Sequence, residues 1–111
     1  SAITAWDALP AISDAIGGKA IIIADTGVRR GSDVIKGLAL GADVIAVGRS
    51  TLYGLAAAGE AGATRALEIL EEEIRRTMAV MGINRISEIS RDHIRLPAEL
   101  PVSGHFHHQP K

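Results

Sequence analysis

The chain has 111 residues, 47% of them hydrophobic and only 3% aromatic, which suits one small domain with a core of Ala, Ile, Leu and Val. Twelve basic residues face thirteen acidic ones, so there is no basic surplus to draw nucleic acid. The absence of cysteine excludes a disulfide scaffold and thiolate chemistry and fits a reducing, cytoplasmic compartment, while no apolar run approaches the roughly 20 residues of a membrane helix.

The opening stretch "SAITAWDALP" has no charged segment or signal-type apolar core. It starts on Ser rather than Met, which reads as a start made by processing, cleavage or design. Trp6, Leu9, Ile12 and Ile16 follow at helical spacing, with Asp7 and Pro10 placed near the helix start and Gly17 and Gly18 as its stop. "KAIIIA" is short and apolar on both faces, which predicts a strand covered on both sides. In "GSDVIKGLALGA" Ser32 is the expected N-cap, Val34, Ile35 and Leu38 share a face, and Gly41 ends the helix. "DVIAVG" is a second buried strand.

"RSTLYGLAAAGEAG" reads as a connection of small residues with at most a short helical turn. The longest helix follows. Ala63, Leu67, Leu70, Ile74, Met78 and Met81 step by three or four residues, and Glu71 and Glu72 stand four before Arg75 and Arg76. The run Glu71 to Glu73 is read as a solvated face rather than a metal site. The Pro-punctuated tail carries His105, His107 and His108, which are taken as incidental rather than metal ligands because no carboxylate or supporting partner accompanies them.

The order helix, strand, helix, strand, helix with short links predicts parallel strands joined by right-handed crossovers. Two such strands cannot cover their own faces and edges, so the chain reads as a slice of a larger α/β sheet or closed barrel. Both strands finish alike, the first in Asp25-Thr26-Gly27-Val28-Arg29 and the second in Gly48-Arg49. In a parallel barrel both exits open on the carboxyl face, where phosphate often sits after the last two strands. Gly27 and Gly48 let backbone N–H groups approach an anion, and Arg29 and Arg49 supply forked donors. Asp25 would repel phosphate and suits sugar-like hydroxyls instead. The helix start after Gly31 is expected to add its field. Spacing alone fits equally an ordinary pair of solvated βα loops, since Asp-x-Gly is a common turn.

The stretch "ADTGVRRGSDVIKGLALGADVIAVGRSTLYGLAAAGEAG" closely resembles the C-terminal part of the FMN-dependent α-hydroxy acid oxidases and dehydrogenases, the group of glycolate oxidase, lactate oxidase and mandelate dehydrogenase. Asp-x-Gly-x-Arg-x-Gly, "KGLALGA", "VGR" and "GEAG" occur in the family's order, and "ISEISRDHI" is similar to its terminal segment. The resemblance implies a fragment of a TIM (β/α)8 barrel with these strands as its seventh and eighth. Residues 1–94 would be the barrel part and 95–111 a tail. It implies FMN as cofactor, with Asp25 at the ribityl chain and Gly27, Arg29, Gly48 and Arg49 around the phosphate. Arg30 lies in the motif without an assigned ligand, and Thr26 stands where relatives often carry Ser or Gly.

The implied reaction is oxidation of a small 2-hydroxy acid to the 2-oxo product. A His takes a proton while the substrate α-carbon passes a hydride equivalent to the flavin. The family's catalytic His and substrate-binding Arg lie in an "NHGGRQLD"-like motif that this chain does not contain, so no catalytic residue is nominated among its histidines, His93 included. The resemblance therefore implies a partner, the N-terminal barrel segment, without which this chain is inactive, and a homo-oligomer of the tetrameric kind common in the family. Two alternatives stay open: another phosphate-binding barrel, such as type 2 isopentenyl diphosphate isomerase or inosine monophosphate dehydrogenase, and a non-catalytic truncated fragment.

Overall fold

A computed structural model describes residues 3–25 and 27–95. The expected alternation is present: α1 (Ala5–Ile16), β1 (Ile23–Ala24), α2 (Gly31–Leu40), β2 (Val44–Ile45) and α3 (Arg49–Met81), followed by 3-10 turns at Ile86–Glu88 and Arg91–His93. Thr4 caps α1 reciprocally: Asp7 N–H donates to the Thr4 hydroxyl at 3.1 Å, and Thr4 N–H donates to the Asp7 carboxylate at 3.3 Å. Pro10 sits inside this helix rather than in its first turn, and removes the donor that the Trp6 carbonyl would otherwise meet. Gly17 closes the helix in the left-handed conformation, as its sequence position predicts.

The strands are shorter than "KAIIIA" and "DVIAVG" suggest. They pair in parallel with Ile23 opposite Val44 and Ala24 opposite Ile45. Ile22 N–H donates to the Asp43 carboxylate at 2.8 Å, which closes the lower end of the ladder. The expectation of cover on both faces is met on one only. Ala24 packs with Leu9, Leu40 and Ala42, and Trp6, Ile22, Ile45 and Ile94 lie against that cluster. The opposite face is bare: Ile21 is 75% exposed, Ile23 62% and Val44 46%. Side chains alternate across a strand, so one face meets α1 and α2 while the other has no neighbour among the described residues.

Two further expectations change. The N-cap of α2 is Arg30, not Ser32, and the capping carboxylate belongs to Asp33, which accepts from Arg30 N–H at 2.9 Å. The supposed connection after β2 is helical from Arg49 onward, and bends where Ala58 and Gly59 leave helical angles. Gly54 and Gly62 on either side of the bend touch backbone to backbone: a Cβ at either position would collide with the other's carbonyl oxygen. These glycines, which gave the stretch its small-residue look of a connection, permit a close contact between the two helical segments. On the polar face Glu71 pairs with Arg75 at 3.0 Å as expected, but Glu72 meets Arg65 at 2.9 Å.

The last described turns are tied back to α1. The Arg91 guanidinium donates to the Pro10 carbonyl and to Asp14, both at 3.0 Å. Ser90 N–H donates to His93 Nδ1 at 3.0 Å, so this histidine serves as a turn cap. The expected tail with its three histidines, and Thr26, lie outside the described residues.

The Gly54–Gly62 contact makes a prediction. Gly62→Ala should force the two helix segments apart and destabilise the protein by about 1–3 kcal/mol, the usual range for overpacking. Chemical denaturation of the wild type and the variant measures the difference, and an unchanged midpoint would refute the contact.

Candidate functional site

Parallel pairing brings both strand exits to the same end of the sheet. There they line one open pocket of about 750 Å3. Asp25, Gly27 and Arg29 enter it from the first exit, and Gly48 and Arg49 from the second. All five residues singled out at the strand ends therefore share one lining. Val28, Ala46 and Val47 complete the floor, and Ser50 and Tyr53 add a side not anticipated from sequence. Tyr53 follows Arg49 by four residues, the spacing of neighbours on one helix face. That spacing carries a signal only once the stretch is helical, and its small residues look like a connection.

The two exits are joined directly. The Ser50 hydroxyl donates to the Val28 carbonyl at 3.3 Å. Gly27 adopts φ +67°, and a Cβ there would lie 3.3 Å from Trp6 Nε1, so α1 backs the first exit closely. Gly48 faces open space, with nothing within 4 Å of where its Cβ would stand.

The helix starts at the two exits differ. No side chain caps the start of α3 among the described residues, and its first residues, Arg49 and Ser50, line the pocket. Free N–H groups at a helix start favour an anion. The start of α2 is already occupied. Gly31 N–H donates to Glu73 at 2.7 Å, and Arg29 and Arg30 N–H both donate to Asp33 at 2.9 Å. The field expected from that helix start is thus satisfied by the protein's own carboxylates and is not offered to a ligand.

Glu73 also corrects the reading of Glu71 to Glu73 as a solvated face. Its side chain is only 16% exposed, and its second oxygen meets the Arg30 guanidinium at 2.8 Å. The hydrogen bond from Arg30, then that from Gly31 N–H, hold the Glu73 carboxyl below its ordinary range. The same hydrogen bond raises Arg30 further. Arg30 is therefore engaged by α3.

Parallel strands whose carboxyl ends bring two arginines and an uncapped helix start to one pocket define an α/β arrangement with its pocket at the strand ends. A profile of the FMN-dependent dehydrogenases matches residues 1–96, and the chain belongs to that family, whose cofactor is FMN. It is 52% identical over 85 residues to an L-lactate dehydrogenase of Pseudomonas paraeruginosa, an alignment that covers 77% of this chain and 22% of the relative. Its fold matches a soluble mutant of the membrane-associated (S)-mandelate dehydrogenase of Pseudomonas putida at TM-score 0.71 and 41% identity, covering 76% of this chain and 24% of that one. A putative lactate oxidase of Pediococcus acidilactici matches at TM-score 0.66 and 39% identity, over 79% of this chain and 23% of that one. The chain thus spans about a quarter of the length of the relatives it matches.

The lowered Glu73 carboxyl has a consequence for stability against pH. Its folded-state value lies below the ordinary 4.5. The contribution of the Arg30–Glu73 contact is therefore complete above about pH 4.5 and is lost as pH falls through the lower folded value. Denaturant titrations of the wild type and Glu73→Gln should show a gap at pH 7 that closes in acid. A gap constant down to pH 2 would contradict the assignment.

Proposed function

We propose that this chain is the C-terminal portion of a (β/α)8 flavoenzyme that oxidises a 2-hydroxy acid to the 2-oxo acid. In this reading β1 and β2 are the seventh and eighth barrel strands, residues 1–94 belong to the barrel and residues 95–111 form a tail. The observation that carries it is the convergence of Arg29, Arg49 and the uncapped start of α3 on one pocket.

The residues present fit the anionic end of FMN. Arg29 and Arg49 bring two permanent positive charges with forked donors. Gly48 leaves the approach to the helix start clear of a side chain. Asp25, which lines the pocket from the first exit, would accept hydrogen bonds from the ribityl hydroxyls. Tyr53 and Ser50 close the side of the pocket. When bound, FMN supplies the acceptor for the hydride equivalent that leaves the substrate α-carbon. The role of this chain is binding and orientation. The groups that deprotonate and hold the substrate belong to the preceding barrel segment, and the bare face of Ile21, Ile23 and Val44 is where that segment would pack.

Arg49→Ala and Arg29→Ala in the complete barrel should each weaken FMN binding about ten- to a hundredfold, the effect of losing one charge-assisted contact. Flavin titration of the apoprotein measures this, and unchanged affinity in both variants would overturn the phosphate site. The reaction class has its own test. Under anaerobic conditions a 2-hydroxy acid such as lactate, glycolate or mandelate should bleach the flavin absorbance. Failure of all three would overturn hydroxy acid oxidation while leaving the FMN site standing.

A further inference from the structure

Three consecutive backbone N–H groups, those of Arg29, Arg30 and Gly31, end on two carboxylates. Asp33 takes the first two at 2.9 Å each, and Glu73 takes the third at 2.7 Å. Donors in such a row commonly receive an anion from outside. Here the chain supplies the anions itself, and the result is a fixed turn rather than a receptor. Asp33 is local, four residues from Arg29. Glu73 is not: it reaches across 42 residues of sequence from the segment of α3 after its bend.

The reach is specific. Glu73 binds Gly31 through one carboxylate oxygen and the Arg30 guanidinium through the other, with Arg30 Nε at 3.0 Å and its terminal nitrogen at 2.8 Å. A Cβ on Gly31 would stand 2.5 Å from Glu73 Cβ and from Ile74 N. Only glycine lets α3 come this close. Arg49 starts the segment of α3 before the bend at Ala58 and Gly59, and Glu73 lies on the segment after it, the two being in backbone contact at Gly54 and Gly62. The segment that grips the turn carrying Arg29 is therefore packed against the one that carries the second exit's arginine.

We propose that Glu73 is a positioning residue for the phosphate end of the flavin: by gripping Arg30 and Gly31 it sets where Arg29 stands relative to Arg49. It touches no ligand itself. The proposal rests on the reading of Arg29 as a phosphate contact, and the test separates the two.

The complete barrel is stripped of flavin, and dissociation constants are measured for FMN and for riboflavin, which lacks the phosphate. Glu73→Ala and Glu73→Gln should weaken FMN about three- to tenfold, a fraction of a full charge-assisted contact, and leave riboflavin unchanged. General loss of structure would weaken both flavins alike, and that outcome overturns the proposal, as does an unchanged FMN-to-riboflavin ratio. Arg29→Ala is the reference. If it lowers the ratio and the Glu73 variants do not, positioning fails and the phosphate reading stands. If it leaves the ratio unchanged, both fail. Should Glu73→Ala not fold, Glu73→Gln decides, because its amide oxygen still accepts from Gly31 while the charge toward Arg30 is gone.

Discussion

The parallel register of Ile23 with Val44 and Ala24 with Ile45 is the constraint from which the rest of the arrangement follows. Side chains alternate along a strand, so a slip of one residue would turn Ala24 away from Leu9 and Leu40 and present a different set to α1 and α2. The same slip would offset the exits by one residue and break the Ser50–Val28 link between them. Register is fixed from both ends. Asp43 closes the ladder below by accepting from Ile22, and the apolar cluster around Leu9 holds the covered face. A chemical arrangement of five residues from two loops thus depends on a very short ladder.

The two helix starts divide the work at those exits. Both emerge beside arginines, and both carry the partial positive charge of aligned peptide dipoles. The chain spends its own carboxylates on one of them and leaves the other bare. Two receptive ends side by side would compete for a single anion and would repel each other when empty. Neutralising the start of α2 internally leaves that of α3 directed at the pocket, and gives the first exit a rigid turn from which Arg29 enters the same lining.

Much of this was legible in the sequence where the signal is local. The stop at Gly17, the helix end at Gly41 and the alternation of elements follow from spacing and from glycine. Asp25, Gly27, Arg29, Gly48 and Arg49 stood out because strand ends in parallel folds are where chemistry gathers, and the structure gathers them. What escaped was long-range or ambiguous. Ser32 looks like an N-cap because its hydroxyl is the right type, but the helix starts two residues earlier, with Arg30 at the cap and Asp33 accepting from the Arg29 and Arg30 N–H groups, so Ser32 already lies inside the first turn. Gly54, Gly59 and Gly62 have the composition of a loop; Gly59 does break the helix, and only the backbone contact between Gly54 and Gly62 shows why those two stand on the helical segments either side of it. Glu73 is indistinguishable from Glu71 and Glu72 by composition. Its partners lie 42 and 43 residues away, and no periodicity on α3 points to them.

The uncovered side of the sheet bears on how this segment must be handled. Ile21, Ile23 and Val44 offer an apolar surface, and the outer edges of β1 and β2 next to it have no strand partner among the described residues. Together they form a template onto which any extended chain can add by cross-β growth, another copy of the same segment included. For this segment, whose charges nearly balance, that surface is the feature that governs self-association.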